Sequence, residues 1–149
     1  MTIMEALHLI DAIKPNTYSS AEKIKWLSTL DGTIKREIID NNQSAATIVF
    51  YGYTENSDLK TELLVPAPYD EIYLFLLESK IDYWNGEVGK YNNSTAMFNE
   101  AYTTFSKYYN RTHMRIGDNF KYYGKSNADK GQIAIAVVSI TIEEEEADD

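Results

Sequence analysis

The chain of 149 residues contains no cysteine. Disulfides, thiol nucleophiles and thiolate metal sites are therefore excluded. Histidine is almost as scarce, with only His8 and His113, so a zinc centre has too few soft ligands. There is no apolar run near eighteen residues, which predicts no membrane-spanning helix. The opening MTIMEALHLIDAIK lacks a basic start, a long apolar centre and a small-residue cleavage site, and does not read as a secretory leader. A glycine-rich phosphate loop, G-x-S-x-G and H-E-x-x-H are all missing. The adjacent acids Asp70 and Glu71 point different ways on a helix, so they make a poor general acid and base pair. No catalytic residue, metal site or cofactor is expected, and the chain does not read as an enzyme.

What is present is 44% hydrophobic and 25% charged, the balance of a soluble globular domain. Net charge is −9, but its placement matters more than its size. Six acids, Glu143 to Glu146 with Asp148 and Asp149, fall in the last seven residues. Removing those six leaves 17 acids against 14 bases, a net of −3. The tail reads as a solvated gatekeeper that keeps the preceding segment soluble. It lacks the glycine turn and spaced oxygens of a calcium loop. A protein that grips nucleic acid should be basic, so specific nucleic-acid binding is not expected.

Immediately before that tail, Gln132–Ile142 (QIAIAVVSITI) holds no charge, proline or glycine. As a strand it would place Ile133, Ile135 and Val137 on one face and Val138, Ile140 and Ile142 on the other. Both faces are largely apolar, Ser139 and Thr141 being the exceptions, so cover on two sides and strand partners are expected. Few other segments read as strands. The segment is therefore expected to act as an arm that adds to a sheet of another polypeptide.

Helices dominate the rest. Thr2-x-x-Glu5 and Ser19-x-x-Glu22 are capping boxes. The first opens a helix that Pro15 ends, and the second opens one that runs to about Asn41. Gly32 lies inside it, permitting a kink or a close approach. Thr47–Tyr51 and Leu63–Val65 read as two short strands of a hairpin near 46–65. A third helix is predicted from about Tyr69 to Asn85, with Asp70 and Glu71 in its first turn and Lys80, Tyr83 and Trp84 on its apolar stripe. A fourth runs from Val88 or Asn92 to Asn110, antiparallel to the third across Gly86. His8 reads as a helical surface residue, and His113 as a cation at a helix end.

The fold class is thus mainly α: a four-helix body over 1–115 with a small hairpin, a linker at 116–131, a strand arm at 132–142 and an acidic tail at 143–149. Aromatics are plentiful, with 12 Tyr, 5 Phe and 2 Trp, too many for one small core. Trp84, Tyr91, Tyr108, Tyr122 and Tyr123 are candidates for a subunit interface, where a rigid ring with a polar handle is favoured.

Three segments, PAPYDE at Pro66–Glu71, DYWNGE at Asp82–Glu87 and YNNS at Tyr91–Ser94, carry a resemblance. With the opening ALHLIDAIKP they resemble the head-to-tail adaptor (head–tail connector) proteins of tailed phages infecting Gram-positive bacteria. The resemblance spans most of 1–115 and does not extend over 116–149. It implies a helical structural protein of the virion, made in the host cytoplasm. It also implies a roughly twelve-fold ring that contacts the portal and a neck or tail-completion protein, while DNA passes without specific binding. Other neck proteins, and an acidic DNA-mimic inhibitor, remain as alternative readings.

Overall fold

The computed structural model describes residues 1–42, 47–114 and 116. They belong to one compact unit, Met1–Asp118. The linker, strand arm and acidic tail expected beyond 115 lie outside the described residues, Ile116 apart. Among the described residues the chain is mainly helical: α1 (Ile3–Ile13), α2 (Ser20–Glu37), α3 (Ile72–Trp84) and α4 (Val88–Thr112), with one 3-10 turn at Ile39–Asn41.

Both capping boxes form. The Glu5 amide donates to Thr2 Oγ1 at 3.2 Å and the Thr2 amide to Glu5 Oε2 at 2.7 Å. Ser19 and Glu22 repeat the exchange at 3.3 and 2.8 Å. Each box supplies acceptors for amides that the helix itself leaves free. At the other end of α3, the Gly86 amide reaches Tyr83 O and the Glu87 amide reaches Asp82 O. Gly86 has φ +72°, so the pair forms a glycine-dependent helix stop. The chain then reverses: Ser94 meets Asp82, while Tyr108 stacks on Tyr69 with centroids 4.5 Å apart. α4 is therefore antiparallel to α3.

α3 starts later than expected. Pro66–Glu71 forms turns, and Asp70 and Glu71 precede the helix rather than occupy its first turn. Its buried face also differs from the stripe expected from spacing. Ser79, Ile81 and Asp82 are buried, whereas Lys80, Tyr83 and Trp84 are exposed.

The hairpin expected near 46–65 is not formed among described residues 47–65, because each arm is bound to a helix instead. The first two amides of α1, on Ile3 and Met4, donate to the carbonyls of Thr61 and Leu59 at 3.1 and 2.9 Å. The Leu63 amide returns a bond to Met1 O at 3.0 Å, and Thr2 and Glu62 form a single antiparallel bridge. The other arm lies against α2. Ile48 packs against the core, while Val49 and Tyr51 face out. The Phe50 ring passes 3.7 Å from the position a Cβ on Gly32 would take. The chain turns at Gly52 (φ +92°), and the Tyr53 amide then donates to Ser28 Oγ at 2.8 Å.

The core joins α1, α2, α3 and the inner edge of α4, with Tyr73 and Phe105 its largest fully buried side chains. α4 is about 37 Å long, yet only Ser94, Phe105 and Tyr109 along it are buried. It rests on α3 and leaves most of its circumference open.

Candidate functional site

The most unusual chemistry lies inside the body. Asp31 falls within the apolar stripe of α2, between Leu27 and Ile34, and is fully buried. Tyr73 Oη donates to its Oδ1 at 2.6 Å; Tyr53 Oη and the Leu64 amide donate to Oδ2 at 2.6 and 3.1 Å. The Val65 amide in turn donates to Tyr73 Oη at 2.8 Å. Burial raises the Asp31 pKa above the usual carboxylate range, and the three donated hydrogen bonds only partly offset it. Burial, followed by the charge of Asp31, pushes Tyr53 and Tyr73 well above the ordinary phenol value. A perturbed acid in a cleft would suggest catalysis. Asp31 has no exposed surface and its donors are protein groups, so it holds the 53–65 segment onto α2 and α3.

A second buried carboxylate, Asp82, pairs with Lys14 and accepts from Ser94 Oγ at 2.9 Å. It ties the end of α1 to both α3 and α4. Buried Lys23 pairs with Asp11. At Asp11 burial opposes ionisation, but hydrogen bonds from Lys23 and Asn16 outweigh it and lower the pKa. Among the described residues no group of three or more His, Asp or Glu could hold a metal. His8 is exposed on α1, and His113 stacks on Tyr109 with ring planes 9° apart.

The accessible features are aromatic. α2 and α4 both border α3, and between them runs an open trench. Its central part, about 380 Å³, is lined by Trp26, Leu30 and Thr33 of α2, Leu76 and Lys80 of α3, and Phe98 and Tyr102 of α4, among others. Tyr102 Oη donates to Glu37 Oε2 at 2.7 Å and bridges the trench at one end. Burial, then the bond to Glu37, raises the Tyr102 pKa. Along α3 and α4 the trench continues past Tyr83, Tyr91 and Thr95. On the α2 side a further cleft reaches from Trp26 and Thr29 to Tyr18 and Trp84. Tyr18 Oη there donates to Asn85 Oδ1 at 2.9 Å.

Trp84 is 62% exposed and Tyr83 57%, with their rings edge to face at 5.2 Å. Tyr91 lies 5.4 Å from Tyr83. Trp84 and Tyr91 are thus brought together at one end of the α3–α4 pair. Tyr108 is half-buried against Tyr69 and is engaged in packing. Tyr122 and Tyr123, like Ile133, Ile135, Val137, Val138, Ile140 and Ile142, lie outside the described residues. Sequence spacing did not single out Trp26 or the Asp31 cluster. An acid at core spacing on α2 was the available signal for the latter.

Comparison of the chain with family models, curated proteins and solved structures found no match.

Proposed function

We propose that this protein is a structural subunit of a tailed-phage virion, a head-to-tail adaptor. In this reading copies form a ring, roughly twelve-fold, between the portal and the neck or tail-completion protein, and DNA passes through without specific binding. The observation that carries the proposal is the uncovered aromatic surface at the junction of α3 and α4, with Trp84 62% exposed. Large exposed aromatics lose water when a partner covers them, and such residues dominate contact energies. The resemblance of Pro66–Glu71, Asp82–Glu87 and Tyr91–Ser94 to phage adaptors supplies the assembly. The arm over 132–142 and its pairing with another polypeptide belong to the same proposal.

Two alternatives fit less well. A DNA mimic needs carboxylates displayed along a surface, whereas the acidic surplus here is concentrated at Glu143–Glu146, Asp148 and Asp149. A neck protein built mainly of strands is a poorer fit to a mainly helical body.

Deleting Gln132–Asp149 tests the reading. The shortened protein is expected to keep the helical circular dichroism of the body and to be lost from assembled particles. Incorporation at the level of the full chain would overturn the proposal.

A further inference from the structure

We propose that the trench between α2 and α4 receives residues Gln132–Ile142 of a neighbouring copy of this chain. The inference rests on the assembly reading above and gives the arm a specific receptor. The trench is a gap in helix packing. α2 and α4 share α3 as a floor and meet through the Tyr102–Glu37 hydrogen bond. Trp26, Phe98 and Tyr102 leave apolar surface facing the gap. A slender, largely apolar segment would fit the gap.

Gln132–Ile142 has that chemistry over eleven consecutive residues. The trench wall from Tyr91 to Tyr102 is about 17 Å long, which about five extended residues would cover. Alternate side chains from one face of the segment, such as Val138, Ile140 and Ile142, would enter. The other edge of its backbone would stay hydrated.

Chain path and charge agree with this occupant. The Ile116 amide donates to Asn41 O at 3.1 Å, so the described chain ends beside the C-terminal end of α2. Fifteen residues separate Ile116 from Gln132, a reach of up to about 50 Å when extended, enough to meet an adjacent copy. Lys25, Lys80 and Lys107 border the trench and its two ends, and none of them forms a salt bridge among the described residues. Glu22 and Glu37 also lie there, but Glu22 accepts from Ser19 and Glu37 from Tyr102. Glu143–Glu146 follows the apolar segment directly, so an inserted arm would bring four carboxylates to unpaired lysines. Each copy then offers a different surface at each contact, the head-to-tail geometry that gives a ring when the rotation between copies closes.

The absence of native cysteine makes crosslinking a clean test. Full-length Asn99→Cys and full-length Val138→Cys are mixed under mild oxidation; a disulfide forms only when the two Cα atoms come within about 7 Å. A crosslinked heterodimer is expected as the main product, with little from an Asn93→Cys control on the outer side of α4. The double variant Asn99→Cys/Val138→Cys should give linked oligomers. A crosslinked monomer would place the arm in its own trench and overturn the exchange between copies. No product above the control would overturn the trench as receptor. As a second measurement, Val138→Asp in the full chain should red-shift the fluorescence of Trp26, which lines the trench, with Trp84 in the adjoining cleft. Unchanged emission counts against the proposal. If crosslinking fails while deletion of 132–149 still abolishes incorporation, the arm binds elsewhere and the neck reading survives.

Discussion

Asp31 shows how one side chain can hold an irregular segment. Three donors converge on its carboxylate, and no cation is among them. Asp31→Ala would leave two hydroxyls and an amide without acceptors, and is expected to lower stability by about 3 kcal/mol. The pH dependence has a definite sign. Because the folded pKa is raised, the contribution of Asp31 is fully present below its unfolded value and is lost as pH rises through the folded one. The urea midpoint of the wild type relative to Asp31→Asn should therefore be higher at pH 4 than at pH 7. Asp11 acts oppositely: its lowered pKa gives stability above the unfolded value that is lost as pH falls through the folded value. Two glycines separate by conformation in the same way. At Gly32 a Cβ would make ordinary contact with Phe50, so Gly32→Ala is expected to stabilise by up to about 1 kcal/mol through helix propensity. At Gly52 φ is +92° and a Cβ would lie 3.1 Å from Ser28 Oγ. Gly52→Ala should destabilise by about 1 kcal/mol or more, measured by thermal unfolding.

Among the elements, α1 and α2 were the most legible. Their starts are written in the capping boxes, and their buried faces, Ile3, Ala6, Leu7 and Ile10 in one and Ile24, Leu27, Leu30 and Ile34 in the other, follow helical spacing. α3 was less legible, because its last turn carries an inverted pattern: buried Asp82 is followed by exposed Tyr83 and Trp84. Apolarity alone predicts the reverse. Asp82 is buried because Lys14 and Ser94 satisfy it, and both come from other helices. Lys14→Ala would strand that carboxylate and is expected to lower stability by about 3 kcal/mol, read from the denaturant midpoint. The 47–51 segment shows a different limit. In the structure Ile48 and Phe50 are partly buried while Val49 and Tyr51 are exposed, so the segment has two faces without being a strand. Alternation does not specify a strand partner, and here α2 takes that place.

For the whole molecule, the notable feature is how little of α4 is covered. Helices of this length gain most of their stability from packing, and α4 is packed along one narrow stripe. The trench and the Trp84–Tyr83 edge leave apolar surface still to bury. If partner contacts cover that edge, Trp84→Ala should leave the monomer's stability within about 0.5 kcal/mol of the full chain. It should also reduce ring formation by at least about tenfold, which solution mass measurement at matched concentration would detect. An equal oligomer fraction would place the contact elsewhere.

Composition, capping signals and periodicity by themselves determined a mainly helical body, the starts of α1 and α2, and the lack of thiol chemistry. Those properties depend on residues within a few positions of each other, where backbone hydrogen bonding and side-chain spacing act directly. Only the tertiary structure decided that Asp31 and Asp82 are interior, that 58–63 caps α1 rather than pairing with 47–51, and that α2 and α4 stand apart over α3. Each of those outcomes depends on donors or surfaces tens of residues away in the chain, and a buried charge is tolerable only where such distant partners converge on it.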